Sequence, residues 1–316
     1  MAVIGLDLGG TKLSGAVFDT TGEMVSKEVR KLEKRKGKEV GKLFRSIIRY
    51  LNKIAMDNNS IVTSLGVSVP GISHIKQGTV WAPNIPGWDN YPLREELESF
   101  CNTPDIHITI DSDRACSILG EIWKGAAKGC RNAIFLAVGT GIGAGIYVDG
   151  KVLRGTDDIA GAIGWFALER PYKEKFRKFG CFEYFASGNG LVRSATEFLK
   201  KDEKYNGPLR LIKNQGISSE DIFEAFNHDD PIATKAIRQA IEFWGMAIAN
   251  LISLFNPEKI ILGGGIFGPG ARLRDQIVKE ASKWAQPVSI HQVSVECSAL
   301  QSDAALYGAG YLALNK

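Results

Sequence analysis

The chain contains no run of about 18 or more apolar residues, so nothing in it reads as a membrane-spanning helix. Cysteine is sparse: Cys101, Cys116, Cys130, Cys181 and Cys297 are scattered, odd in number and never spaced C-x-x-C. Neither a disulfide framework nor a cysteine metal knuckle is indicated, and most of the five are expected to be small buried residues. Charge of one sign is also scarce, with a formal net charge of +4 over 316 residues. The basic run from Lys27 to Lys42 is interrupted by Glu28, Glu33 and Glu39, which reads as a solvated face and implies no nucleic-acid partner. A G-x-x-x-x-G-K-[ST] motif is missing, which excludes a Walker-type nucleotide site. No leader-like segment precedes the strand-like Val3–Leu8 stretch, so a cytoplasmic protein with no membrane partner is expected.

Hydrophobic residues at 44% and charged residues at 23% describe a globular chain rather than a disordered one. A length of 316 residues exceeds one ordinary core and suits two domains. Thirty-five glycines are enough to build several turns that approach a ligand with bare backbone.

The pattern along the chain repeats. A strand (Val3–Leu8), a glycine turn (Gly9–Gly10), a second strand (Leu13–Phe18), a Thr21–Gly22 turn and a third strand from Met24 make a meander. The same grammar returns at Ala133–Val138, Gly139-Thr140-Gly141, Gly145–Val148, the Asp149–Gly150 hairpin signal and Lys151–Leu153. Two such glycine-cornered hairpins suit a polyphosphate held between backbone amides. Elsewhere, Val40–Met56 has helical spacing, Ile61–Val69 and Asp105–Asp111 read as strands, and a helix starts at Asp113 with Ser112 or Asp111 as its cap. Pro231–Phe255 is a long helix ended by Asn256-Pro257, Lys259–Leu262 is a strand running into Gly263-Gly264-Gly265, and Asp303–Leu314 is a small-residue helix.

Asp7 stands at a strand end beside the first glycine corner, where Gly9 and Gly10 allow close backbone approach, Thr11 adds a hydroxyl, and the carboxylate can hold Mg²⁺ directly or through water. Asp113, at a strand-to-helix corner, suits either a general base or a first-turn acid that complements the helix dipole. Asp111 reads equally as a site residue or a strand-end carboxylate held by local amides.

In order along the chain, Asp7–Lys12, Val69-Pro70-Gly71 with Trp81–Trp88, Asp111–Glu121, Gly139–Gly143, Gly180–Gly188 and Asn256–Gly265 resemble the successive motifs of the ROK family of sugar kinases and repressors. The resemblance implies an α/β, two-lobed actin-like ATPase (ribonuclease H-like) fold with duplicated mixed sheets and a central cleft. It implies ATP-dependent phosphorylation of a hexose or hexose-like sugar, with ATP and Mg²⁺ as cofactors and a homodimer as the assembly. Residues 1–112 plus 301–316 would form a smaller lobe on the phosphate and sugar side, and 113–300 a larger lobe for nucleotide binding and dimerisation. Asp113 would be the base. Pro70, Gly71, Asn84 and Glu183 would contact the sugar, with a turn residue and a solvated helix-start acid as the plain readings of the last two. Asp7, Gly9, Gly10, Thr11, Lys12, Gly139, Thr140, Gly141, Gly263, Gly264 and Gly265 would hold the nucleotide and its metal.

The chain departs from the family at Ala162 and Trp165, where members carry Glu and His, and it lacks the cysteine cluster that completes their zinc site. One of four ligands survives, so no zinc is expected. Trp165, Phe166, Phe176, Phe179 and Phe182 would fill that space, with Trp165 either in the core or stacked on a sugar face. Ser112, Arg114 and Ala115 also differ from the family's Asn-Asp-Ala-Asn pattern around the base, which leaves the identity of the sugar open. A regulator with a DNA-binding helix-turn-helix is not expected, because the chain opens at the first phosphate strand. A sugar sensor of the same fold, weak in catalysis, is the alternative.

Overall fold

Burial on both faces makes β1 (Ala2–Leu8) the centre of the first sheet, since all seven residues are buried except half-buried Asp7. It pairs antiparallel with β2 (Lys12–Asp19) and parallel with β4 (Val62–Val69). With β3 (Met24–Lys31) and β7 (His107–Ser112) the order is β3-β2-β1-β4-β7. On the edge strand β3, half-buried and exposed residues alternate, which turns Lys27 and Lys31 to solvent and discourages edge pairing. The computed structural model describes residues 1–101, 106–213 and 216–315. Asp105, expected to open β7, and Lys316, the last residue of the expected smaller lobe, lie outside them.

Helix α1 (Lys38–Asp57) lays Val40, Leu43, Phe44, Ile47, Ile48 and Leu51 on this sheet at three- and four-residue spacing. β5 (Ile72–His74), β6 (Thr79–Trp81) and α2 (Leu93–Phe100) decorate the connection from β4 to β7. Helix α3 (Asp113–Lys124) begins where β7 ends, and Ser112 caps it by accepting the Ala115 amide at 3.3 Å. The last helix, α10 (Ala304–Leu314), packs on α3 and β1 at backbone distance. Gly5, Gly66, Gly120 and Gly308 make that approach possible, because a Cβ at any of them would collide with backbone across the contact.

The second sheet repeats the first in the order β10-β9-β8-β11-β12. Its strands are β8 (Ala133–Val138), β9 (Ile142–Val148), β10 (Lys151–Val152), β11 (Lys259–Gly263) and β12 (Ser294–Cys297). β8 again pairs antiparallel with the next strand and parallel with β11. Helices α4 (Cys181–Ala186), α5 (Gly188–Lys201), α6 (Pro208–Ile212), α7 (Ser219–Asn227), α8 (Pro231–Phe255) and α9 (Arg274–Ala281) complete this part. α8 is buried along most of its length, starts at an Asp230 cap and stops at left-handed Asn256 with φ 41°. This is the α/β architecture of actin-like ATPases, with duplicated mixed sheets.

The chain divides into Met1–Gly129, Val152–Ala160 and Asp303–Lys316 as one unit, and Cys130–Lys151 and Gly161–Ser302 as the other. The division expected at residue 112 therefore moves: α3 belongs to the first unit, held there by its packing on α10, and so does the nine-residue excursion Val152–Ala160. Two further expectations change. Trp165 is 58% exposed, because the turn Ile163–Trp165 buries Ile163 and Gly164 and leaves the indole outside the core. Among the cysteines only Cys116 and Cys181 are buried, and the other three are half-buried, lying at helix and strand ends or in a connecting turn.

Candidate active site

Register across the first sheet sets Ser14, Asp7, Ser68 and Asp111 side by side on four neighbouring strands. Ser68 Oγ donates to Asp7 Oδ1 at 2.7 Å. Burial pushes the Asp7 carboxyl up to about 6 despite that hydrogen bond, and the charge of Asp113 pushes the same way. Asp111, 3% exposed, accepts the Ser112 amide at 2.8 Å. Its other partner is Arg154, which reaches it with Nη1 to Oδ1 at 2.8 Å and Nη2 to Oδ2 at 2.7 Å. Asp111 is thus held at the end of β7 by one local amide and by the Arg154 guanidinium. Arg154 belongs to the excursion Val152–Ala160, and no local pattern announces its pairing with a residue 43 positions away.

Asp113 follows at the first turn of α3, where burial raises its carboxyl above the ordinary value and the Arg114 guanidinium opposes the rise. Arg114 Nη2 donates to the Gly71 carbonyl at 3.2 Å, tying this turn to the bend after β4. Gly71 holds φ 84°, and a Cβ there would overlap the Trp81 carbonyl, so Pro70-Gly71 is a tight bend that only glycine completes. Asn84 is exposed in the turn before Trp88. Trp88 anchors that turn by stacking on Tyr91, 4.3 Å between ring centroids, and by donating Nε1–H to the Gly37 carbonyl at 3.2 Å. Asn84 Nδ2 is the nearest group to the space above Gly10. The first unit thus gathers Asp7, the Gly9–Lys12 turn, Gly71, Asn84, Asp111, Asp113, Arg114 and Arg154 around the C-terminal ends of β1, β4 and β7.

In the second unit Gly139-Thr140-Gly141 closes the β8–β9 hairpin, with the Gly139 amide donating to the Gly141 carbonyl at 2.9 Å. Glu183, on α4, braces it by accepting the Ile142 amide on Oε2 at 2.8 Å. Its carboxyl is half-buried and raised by burial, and one of its oxygens is taken by that amide. The three glycines after β11 differ from one another. Gly263 is buried against Phe135, and Gly264 has φ 89° with Val138 against its back. Gly265 has nothing within 4 Å of a built Cβ, and its amide is the nearest atom to the space above Gly139. Gly10, Gly139 and Gly265 share a property: neither left-handed geometry nor crowding within the chain requires glycine there. Bare backbone at such positions is what close approach of an external group requires.

The sequence description of the ROK family matches residues 3–316. The chain belongs to the ROK family. It is 31% identical over 315 residues to a glucokinase of Halalkalibacterium halodurans, covering 98% of this chain and 94% of that one. It is 28% identical to a xylose repressor of Caldicellulosiruptor bescii, covering 97% of this chain and 76% of the repressor. Among solved structures, the ROK glucokinase of Streptomyces griseus in complex with glucose and AMPPNP superposes with TM-score 0.78 at 27% identity, over 100% of both chains.

Against the ROK pattern, the segment around Cys181 is built from rings and cations. Phe176 and Phe182 are buried, and Phe176 packs edge-on against Tyr184 and Phe185. Lys175 lies over Tyr184 at 4.4 Å and Arg193 over Phe179 at 4.8 Å. Among the described residues, no three His, Cys, Asp or Glu side chains are grouped to hold a metal ion. No helix among them is long and apolar enough to cross a membrane.

Proposed function

We propose that this ROK protein transfers the γ-phosphoryl group of ATP to a hydroxyl of a hexose or hexose-like sugar. The observation that carries the reading is Asp113, a carboxylate with a raised pKa at a rigid strand-to-helix corner in a sheet whose β1–β2 turn is open backbone. The glucokinase likeness over nearly the whole chain supports it. Phosphoryl transfer depends on positioning and charge neutralisation. Asp113 accepts the proton of the attacking sugar hydroxyl, while the amides and hydroxyl of Gly9–Lys12 receive phosphate oxygens. Gly139–Gly141 and Gly263–Gly265 serve the nucleotide through main-chain contacts. Pro70-Gly71 and Asn84 face the sugar in this reading, and Glu183 offers it Oε1 while Oε2 braces its own hairpin.

The residues present suit Mg²⁺. Asp7 is a half-buried carboxylate whose surroundings push it up to about 6 beside a second acid, a pair that a divalent cation would relieve. With no three-ligand cluster among the described residues, Asp7, water and phosphate oxygens would hold it. Bound there, the ion would neutralise charge on the phosphates. A zinc-free chain, a homodimer and a cytoplasmic setting belong to the same reading. The likeness to a xylose repressor favours the second reading, a sugar-binding sensor weak in catalysis. Initial rates with ATP across a panel of sugars, run beside Asp113→Ala, separate the two. The kinase reading expects turnover of at least one sugar that the variant loses, and sugar binding with no turnover by the wild type overturns it.

A further inference from the structure

Two arginines sit at the sugar-side end of the first sheet and differ in one respect. Arg154 is matched by a carboxylate, Asp111, through one hydrogen bond and a second close contact. Arg114 is half-buried and makes one hydrogen bond, from Nη2 to the Gly71 carbonyl, with no carboxylate at ion-pair distance among the described residues. A guanidinium carries five N–H donors and no acceptor, so four remain to be satisfied. Asp113 beside it feels this charge without pairing with it, so the remaining N–H donors stay open to an external anion. Position narrows the choice. Arg114 is the residue after the proposed base and touches the bend after β4, whereas the turn read as the phosphate cradle joins β1 to β2. The open donors of Arg114 therefore lie on the acceptor side.

We propose that Arg114 selects a sugar bearing an anionic substituent, a carboxylate or a phosphate, which its guanidinium receives in a bidentate pair. This rests on the kinase reading above and adds to it the class of the acceptor. The bond to Gly71 holds the guanidinium in place before the ligand arrives, which limits the side-chain entropy lost on binding. Asp113 alone would repel an acidic acceptor, and Arg114 beside it offsets that repulsion.

The test uses the full chain with ATP and three acceptor sets: neutral hexoses, the matching hexuronates, and hexose monophosphates, at low and high salt. One anionic set is expected to exceed its neutral parent in kcat/KM by at least about tenfold, and by less at high salt. Which set does so distinguishes carboxylate from phosphate. Arg114→Ala is expected to raise KM for that acceptor about 100-fold, leaving KM for ATP unchanged, with Arg114→Lys partly restoring it. Thermal shift of wild type by the same anionic sugar without ATP, lost in Arg114→Ala, gives a readout independent of turnover. Neutral sugars preferred over both anionic sets, or a variant that weakens ATP instead of the acceptor, overturns the proposal and leaves the kinase reading intact. Turnover of no sugar at all removes the kinase reading, and this proposal with it.

Discussion

At the ends of the central strands, the first sheet reads Ser14, Asp7, Ser68, Asp111 across four strands, and the matching row of the second reads Gly143, Ala137, Gly263. Strand order, pairing sense and hairpin placement are shared. Side-chain chemistry is not. One sheet end concentrates carboxylates with their serine and arginine partners, and the other offers main chain with almost nothing projecting from it. In the proposed reading the same scaffold serves two tasks. Proton transfer needs titratable groups held in register, and nucleotide binding through amides needs their absence. A charged row is costly to bury and demands compensation from outside the sheet, which Arg154 supplies, whereas a glycine row demands only packing behind it.

Substitutions can break this contrast. Asp113→Asn should lower kcat by about 10²–10⁴ while calorimetry still detects sugar binding; an unchanged kcat would take the base out of the first unit. Arg154→Met should cost about 3–5 kcal/mol in unfolding experiments, because it leaves Asp111 buried without its partner, and Arg154→Met/Asp111→Leu should recover most of the loss. If the single variant is neutral, the charged row needs no support. Asp7 gives a pH signature. Its carboxyl is pushed from 3.8 to about 6 in the folded chain, so the fold binds more protons than the unfolded chain between those values and loses stability as pH rises through them. At about 1.4 kcal/mol per pH unit this amounts to at most about 3 kcal/mol. Asp7→Asn should therefore be more stable than wild type at pH 8 without Mg²⁺, and the two should converge near pH 4.

The smallest effects test the glycines that follow β11. Gly264→Ala, at φ 89° with the Val138 carbonyl behind it, should lose at least about 1 kcal/mol. Gly265→Ala, in open space, should keep its melting temperature and instead raise KM for ATP several-fold. Equal behaviour of the two in both assays would reduce the triple glycine to packing.

Local signals carried much of the architecture: both meanders, α8 with its Asn256-Pro257 stop, and the start of α3 at Asp113 all follow from neighbouring residues. What stayed hidden is non-local. Ser68 looked like any residue of a buried strand until parallel register placed it against Asp7. Arg154 had no spacing that pointed to Asp111, since an ion pair across 43 residues is decided by where the chain returns. The unit to which α3 belongs was misjudged for a related reason: its partner is α10, nearly 200 residues later, and that contact is between small residues with no periodic signature. Trp165 invited a reading from hydrophobicity, yet a short tight turn decides which of its three residues faces inward.

The chain changes units four times, at residues 129/130, 151/152, 160/161 and 302/303. No single scission or truncation therefore yields either half intact. A fragment ending at residue 129 would lack α10, exposing the glycine-lined surface of β1 and α3, and would lack the guanidinium that neutralises Asp111. Expression as two separate pieces, or loss of the last dozen residues to a protease, should release an incomplete and aggregation-prone body rather than a working half.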